Sequence, residues 1–227
     1  MAPRVRGVSS GAGTGPEAIS ADSIRLKRAY EPVEQGDGVR VLVDRLWARG
    51  VSKEEAHLDA WMKELGPSKE LREWFGHRPE RWDGFQERYR VELATPLRQV
   101  LLTELQSVAR SATLTLVYGA RDTRENEAVV VRQYLLDSHL PAHKTLDDSS
   151  ILLITAGAVA AGHVDEEIPA ATLQLFAAPY LSGPTLDRLL QELLSADDLQ
   201  RIAAGWQLTS RGHGRVRQLW SQEEQES

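Results

Sequence analysis

The stretch VRVLVDRLWARG, residues 39–50, decides the fold, because it joins an apolar run directly to a charged, aromatic segment. In an extended chain Val41 and Val43 share one face and Leu42 lies on the other, so both faces are apolar. This pattern predicts an interior strand covered on both sides. The run ATLTLVY, residues 112–118, has the same character and predicts a second strand.

Segments with extended or helical periodicity surround these two strands. SIRLKRAY, residues 23–30, predicts a short strand, and ENEAVVVRQYLL, residues 125–136, predicts a helix. The apolar stripe from Leu58 to Leu65 predicts another helix, which Gly66 and Pro67 would end. Further helices are predicted at residues 69–76, 79–93 and 96–109. Strands joined by helical connections indicate an α/β fold, a layered domain with a central, partly parallel sheet flanked by helices.

The chain is divided by composition into four parts. Residues 1–21 predict a flexible N-terminal tail, residues 22–140 the α/β domain, residues 141–150 a polar linker, and residues 151–227 a mostly helical C-terminal extension. The glycines of GAGTG follow no strand and precede no Lys-Ser or Lys-Thr pair, so they belong to the tail rather than to a phosphate loop.

Four patterns organise the extension. ILLITAGAVAAG, residues 151–162, is apolar enough for a strand or a short buried segment. The leucines from Leu186 to Leu194 align on one face of a helix. Ser195 predicts the cap of one further helix, ADDLQRIAAGW, and the end from Arg211 onward predicts a frayed terminus.

Composition limits the functional classes. The 227 residues are 41% hydrophobic and 26% charged, as in soluble globular proteins. A formal net charge of -6 makes a nucleic-acid partner unlikely through overall charge. The absence of cysteine excludes disulfides, thiolate zinc sites and a cysteine nucleophile. No apolar run reaches the length of a membrane span, and the N-terminus lacks a secretory apolar core, so we expect a cytoplasmic location.

Polar residues follow the predicted strands at residues 39–43 and 112–118. Residues 44–50 come after the first strand and residues 118–122 after the second. In open α/β sheets, ligands bind outside the carboxyl ends of strands, so the two segments are expected to face one crevice. Arg45, Arg49 and Arg121 suit an anionic ligand there, since guanidinium groups grip carboxylate or phosphate bidentately. The expected partner is therefore a small phosphate- or carboxylate-bearing molecule.

A structural explanation competes with this site. Asp44 could pair with any of the three arginines and hold the sheet edge, and Asp122 could do no more than cap its helix. In that case the charges form a buried ion-pair network without a ligand.

The segment WFGH, residues 74–77, forms a second candidate cluster. His77 or Asp44 could move a proton, which makes these two the candidate catalytic residues, and Trp47 or Trp74 could line the pocket. The alternative is that the aromatics pack the core and His77 makes a structural hydrogen bond. The remaining histidines are scattered, so neither a metal site nor a cofactor is predicted.

These segments together resemble a known family. KRAYEPVEQGDGVRVLVDRLWARGVSKEEAHLDAWMKELGPSKELREWFGHRPERWDGFQERYRVEL, followed by LTLVYGARDTRENEAVVVRQYL, is similar to the YeaO-like branch of the "domain of unknown function 488" family over about residues 23–137. The elements DRLWxRG, GPS in place of APS, WFGH and YxA[KR]D occur in the family's order and spacing. Gly66 stands where an alanine is common, and Arg121 where lysine is frequent.

The resemblance implies a small, usually cytosolic α/β fold whose activity is not established. It also implies a shared edge site without assigned roles, made by Asp44, Arg45, Trp47, Arg49, Trp74, His77, Tyr118, Arg121, Asp122 and Asn126. The main functional hypothesis is a small-molecule anion site, which could be catalytic. The alternative is a non-enzymatic regulatory or interaction module that binds protein or nucleic acid, with the stripe from Leu186 to Leu194 as its partner surface. The sequence defines no oligomeric state.

Overall fold

A computed structural model of the chain describes residues 19–137 and 146–226, with side chains up to residue 223. Its central element is a sheet of four strands in the order β1-β4-β2-β3, and every neighbouring pair is parallel. The strands are β1 (Ile24–Arg28), β2 (Val39–Leu42), β3 (Ala60–Trp61) and β4 (Leu114–Tyr118). The α/β layered fold is confirmed, and this sheet is parallel throughout.

Nine α-helices and a second, smaller sheet complete the described part of the chain. The helices are α1 (Lys53–Ala56), α2 (Lys69–Phe75), α3 (Trp82–Leu93), α4 (Pro96–Ser111), α5 (Glu127–Asp137), α6 (Asp148–Gly162), α7 (Ala170–Ala177), α8 (Gly183–Ser195) and α9 (Ser210–Glu226). The second sheet is antiparallel, in the order β5-β7-β6, with β5 (Glu167–Pro169), β6 (Leu199–Ile202) and β7 (Gly205–Leu208). None of these helices is both long and apolar enough to cross a bilayer.

The two faces of the parallel sheet are buried differently. Val41, Val43 and Leu116 belong to the large hydrophobic core that the helices cover. Leu42 and Val117 point to the opposite face, where a smaller cluster made by residues 47–61 covers them. This alternation agrees with the apolar residues predicted on both faces of β2.

The C-terminal region packs directly onto the parallel sheet. Helix α6 lies against the edge strand β3, and a Cβ on Gly162 would come within 2.8 Å of Ala60 Cα, so only glycine permits this approach. The two regions share one hydrophobic core. Helix α6 begins at Asp148, inside the predicted linker, whereas residues 1–18 of the predicted tail and residues 138–145 lie outside the described residues. The division into a domain and an extension stays a prediction.

The predicted helix over Leu58–Leu65 is wrong. Helix α1 ends at Ala56, where His57 adopts a left-handed conformation with φ of 45°, and the chain then enters β3. The backbone N–H of Met62 donates to the carbonyl of Leu42, which joins β3 to β2. Leu58 and Met62 belong to clusters on opposite faces of the sheet, so their helical spacing is a coincidence of two separate burials.

Three predictions in the C-terminal region are also corrected. Residues 151–162 form a buried helix, so the strand alternative is wrong and the buried-segment alternative agrees with the structure. ADDLQRIAAGW is a β-hairpin, and Ser195 ends α8 instead of capping another helix. The terminus is not frayed over residues 210–226, where α9 forms. The reason lies in Asp198, a fully buried acid that accepts from Arg215 and so fastens α9 to the hairpin.

A buried ion-pair network does exist, but at the amino edge of the sheet. The Asp37 carboxylate accepts from Lys27 Nζ at 2.9 Å and from Arg40 Nη1 at 2.5 Å. The carbonyl of Asp37 accepts from the Thr115 hydroxyl at 2.6 Å, which ties the preceding turn to β4. Charge pairing of this kind fixes the loop between β1 and β2 and leaves the carboxyl edge to other residues.

Glu104 is a fully buried acid between α4 and α6. The Thr155 hydroxyl donates to its Oε1 at 2.5 Å, while Oε2 has no hydrogen-bond partner among the described residues. Burial raises the pKa of Glu104 to about 8, and the Thr155 hydrogen bond opposes this only in part. Glu104 is therefore protonated in the folded protein at neutral pH.

Glu104 gives the protein a specific loss of stability as the pH rises. The unfolded chain releases this proton near pH 4.5 and the folded chain near pH 8, so the free energy of unfolding falls between these values. In Glu104→Gln we expect this fall to be shallower by up to about 1.4 kcal/mol per pH unit. Urea denaturation at a series of pH values from 5 to 9 measures how the free energy of unfolding changes with pH. The exposed Glu87→Gln serves as control, and identical slopes for all three proteins would contradict an acid protonated in the folded state.

Candidate functional site

Asp44 lies where three parallel strands end. The backbone N–H of Gly119, just after β4, donates to Asp44 Oδ2 at 2.8 Å. The indole Nε1 of Trp61, at the end of β3, donates to the carbonyl of Asp44 at 2.8 Å. A Cβ on residue 119 would lie 2.9 Å from Asp44 Oδ2, so glycine permits the contact. Asp44 thus joins the carboxyl ends of β2, β3 and β4.

A second carboxyl group faces Asp44. Burial raises the pKa of Asp44 far above its usual range, and the hydrogen bond and charge of Glu127 raise it further. The Gly119 N–H and the charge of Arg72 oppose this shift without cancelling it. Asp44 Oδ1 is buried and accepts no hydrogen bond within the described part of the chain. Two carboxyl groups in this position are compatible when they share one proton.

The position of Glu127 indicates which acid holds the proton. Glu127 is the first residue of α5, where free backbone N–H groups and the helix dipole favour a negative charge. Asp44 has no such stabilisation beyond the single Gly119 N–H. The arrangement therefore favours Asp44 as the protonated acid of the pair.

The acid pair opens onto a pocket of about 210 Å³. Three basic side chains contribute to its wall, Arg45, Arg72 and His77. The remaining lining is mostly apolar and consists of Leu46, Pro67, Phe75, Phe85 and Ala120. Arg72 Nε is buried and has no hydrogen-bond partner among the described residues. A guanidinium group with an unused buried donor is well suited to hold an oxyanion.

Three of the predicted site residues meet at this pocket, namely Asp44, Arg45 and His77. Arg45 Nη1 also forms an ion pair with Glu64 at 2.9 Å. His77 is exposed and has a left-handed backbone with φ of 53° just after α2. Arg49 does not line the pocket, since its side chain is exposed, and its carbonyl accepts from the Tyr30 hydroxyl at 3.3 Å.

The two predicted tryptophans lie outside the pocket lining. Trp47 donates from its indole Nε1 to the carbonyl of Val51 at 2.6 Å, and its ring meets Trp61 edge to face at 5.2 Å. It therefore covers the second face of the sheet. Trp74 packs against two arginines, with the Arg88 guanidinium 3.9 Å and the Arg81 guanidinium 5.4 Å from its ring. These two cation–π contacts hold the Trp74 ring against its neighbours outside the pocket.

The residues predicted after β4 mainly shape the start of α5. Asp122 accepts from the backbone N–H of Arg124 and of Glu125, and these two bonds, Arg124 first, lower its pKa. Asn126 accepts from the N–H of Val129 and donates to the carbonyl of Asp122. Asn126 rather than Asp122 therefore caps α5, and Asp122 closes the turn that precedes the helix. Tyr118 is buried in the core and Arg121 is exposed, and neither lines the pocket.

Two charged residues of the pocket, Arg72 and Glu127, were not predicted from the sequence. Arg72 lies on α2 and Glu127 on α5, and the apolar residues of these two helices predict packing against the core rather than a site. A usable signal existed for Glu127, because it is the first residue of a helix that follows a strand, where side chains reach the sheet edge. For Arg72 no comparable signal exists, since only the packing of α2 brings it to Asp44.

The glycine that departs from the family pattern lies beside the pocket. A Cβ on Gly66 would come within 2.4 Å of the backbone nitrogen of Arg45. Glycine therefore lets the segment before α2 press against the start of the DRLW segment. An alanine at this position requires the two backbones to lie farther apart.

Substitutions at Asp44 test its protonation. Asparagine keeps an oxygen for the Gly119 N–H and carries no charge, so Asp44→Asn should retain the stability of the wild type at pH 7 to within about 1 kcal/mol. Asp44→Ala leaves that N–H without its acceptor and should lose about 2 kcal/mol or more. Urea denaturation measures both. An Asn variant as unstable as the Ala variant would indicate that the native residue is ionised.

Comparison with known proteins places the chain in a family. A family model described as "Inactive DUF488-N3 subclade" matches residues 23–151. The protein YeaO of Escherichia coli, described as uncharacterized, is 42% identical over 113 residues, which cover 50% of this chain and 96% of YeaO. The uncharacterized protein Rv3073c of Mycobacterium tuberculosis is 40% identical over 112 residues, 49% of this chain and 92% of its own length. No solved structure matches. The chain is a YeaO-like protein that belongs to the inactive DUF488-N3 subclade.

Proposed function

We propose that the pocket beside the Asp44–Glu127 pair binds a small anionic ligand. The observation that carries the proposal is Arg72, whose buried Nε has no hydrogen-bond partner among the described residues although it borders a pocket. Leaving a charged donor unsatisfied in a buried position is costly, and a phosphate or carboxylate oxygen would satisfy it.

The shared proton supports binding of an anion. Two ionised carboxylates would neutralise the nearby cations and repel a negative ligand. Because burial and Glu127 raise the pKa of Asp44 far above its usual range, Asp44 adds no negative charge beside these cations at neutral pH. A protonated Asp44 could also donate a hydrogen bond to a ligand oxygen.

The size and lining of the pocket limit the ligand. A volume of about 210 Å³ is below the usual range for drug-sized ligands, so inorganic phosphate or a short carboxylate is the expected class. Leu46 lies at this pocket and is 63% exposed, an unusual state for a large apolar side chain, and it suits a ligand with a small apolar part.

Binding is favoured over catalysis. The family description contains the word inactive, which fits a site that holds a ligand without converting it. A protonated Asp44 is also a poor general base at neutral pH. Roles for His77 or Asp44 in proton transfer stay predictions, as does a cytoplasmic location.

The alternative of an interaction module proposed the leucine stripe of α8 as its partner surface, and this stripe is buried. Leu186, Leu189, Leu190 and Leu193 are buried, and α8 packs on α6, α7 and β6. The leucine stripe therefore belongs to the core of the C-terminal region and is not available to a partner.

Thermal denaturation with added anions tests the proposed site. We expect inorganic phosphate or a short carboxylate, present at about ten times its Kd, to raise the Tm of the wild type by about 3 °C. Arg72→Gln should abolish this rise, because it removes the guanidinium that borders the pocket. Arg124→Gln removes an equal charge from an exposed position outside the lining and should keep it.

Two results would oppose anion binding at this pocket. One is the same Tm rise in Arg72→Gln as in the wild type, which would place the anion elsewhere. The other is no rise for phosphate, acetate, butyrate or oxalate at 10 to 50 mM, concentrations at which about millimolar affinity would be seen. Potassium chloride at matched ionic strength separates specific binding from screening.

A further inference from the structure

A groove of about 340 Å³ lies on the opposite side of Trp61 from the small cluster, between α6, α9 and the segment after β3. Two partly exposed indoles, Trp61 and Trp220, line it. Its lining also includes three small residues of α6, namely Gly157, Ala158 and Ala161. The groove exists only because α6 and α9 pack beside the parallel sheet.

The aromatic lining of this groove is held in place by other contacts. The indole Nε1 of Trp61 donates to the carbonyl of Asp44, and its ring meets Trp47 edge to face. Trp220 packs against the large core. A Cβ on Gly157 would lie 3.2 Å from Val216 Cγ1, so α9 already approaches α6 as closely as its side chains allow. Ring positions fixed in advance reduce the entropy lost when a flat ligand binds.

Charges on the rim favour a negative ligand. Glu64 is paired with Arg45 at 2.9 Å and with Lys63 at 3.8 Å, and Glu166 is paired with His213 at 3.0 Å. Arg217 is exposed and forms no ion pair with any residue that the structure describes. Arg45, Lys63 and Arg217 thus outnumber the two acids of the lining.

We infer that this groove binds a planar aromatic molecule that carries a carboxylate or a similar negative group. The ring would pack against the indoles of Trp61 and Trp220, and the anion would lie at the rim near Arg217. The groove is a separate site from the pocket beside Asp44 and does not depend on the function proposed for that pocket. Arg45 lines both cavities and separates them.

Calorimetric titration with 2-naphthoate tests the inference on the full chain. The wild type should bind one equivalent, and Arg217→Gln should weaken binding about fivefold. The same substitution should leave the binding of neutral 2-naphthamide unchanged, because only the carboxylate contacts the guanidinium. Arg201→Gln, an exposed arginine on β6 outside the groove, is the matched control and should bind 2-naphthoate like the wild type.

A second variant tests the aromatic wall. Trp220→Ala should reduce the affinity for both naphthalene compounds by about tenfold or more, and Trp220→Phe should retain most of it. Because Trp220 contacts the core, far-ultraviolet circular dichroism must first establish that the Ala variant is folded. If it is not, the comparison of Trp220→Phe and Arg217→Gln with the wild type decides.

Three results would overturn the inference. The first is the absence of saturable binding of 2-naphthoate at concentrations up to about 5 mM. The second is an affinity of Arg217→Gln for 2-naphthoate equal to that of the wild type. The third is displacement of 2-naphthoate by inorganic phosphate in the wild type but not in Arg72→Gln, which would place the compound in the pocket beside Asp44.

Discussion

The backbone N–H of Gly119 donates to Asp44 Oδ2 across 2.8 Å, and the carboxyl edge of the sheet depends on this contact. It joins the end of β4 to the end of β2, while the Trp61 indole joins β3 to the same residue. Burial, together with the hydrogen bond and charge of Glu127, raises the pKa of Asp44 far above its usual range, so Asp44 holds a proton at neutral pH. The residue that joins the ends of β2 and β4 is therefore also the residue whose protonation is shifted.

Arg45 lines both cavities. On one side α2 and α5 bring Arg72 and Glu127 to Asp44 and enclose a small polar pocket. On the other side α6 and α9 pack beyond Trp61 and leave a wider groove lined by aromatic rings. The family match ends at residue 151, so α9 and most of α6 add this groove to a shared framework.

The sequence predicted those parts of the fold that local pattern determines. The apolar alternation of β2 and β4 and the helical periodicity of α3, α4 and α5 were sufficient. The two-residue strand β3 and the β6–β7 hairpin were missed, because pairing with distant strands and a buried acid at Asp198 override their local preference.

The candidate site was predictable only where it is continuous in sequence. Asp44 and Arg45 follow β2 directly, and His77 follows α2 in a recognisable motif, so all three could be named before the structure. Glu127 could also have been named, because it begins the helix that follows β4, whereas Arg72 reaches the pocket only through the packing of α2, which the sequence does not specify.

Carbon-13 NMR of the side-chain carboxyl groups, recorded as a function of pH, tests the shared proton most directly. Spectra of Asp44→Asn and Glu127→Gln assign the two resonances. We expect one of the two groups to remain protonated at pH 7 in the wild type and to lose its proton only in alkaline solution. Two resonances that both titrate below pH 6 would show two ionised acids at neutral pH and would contradict the account of this edge.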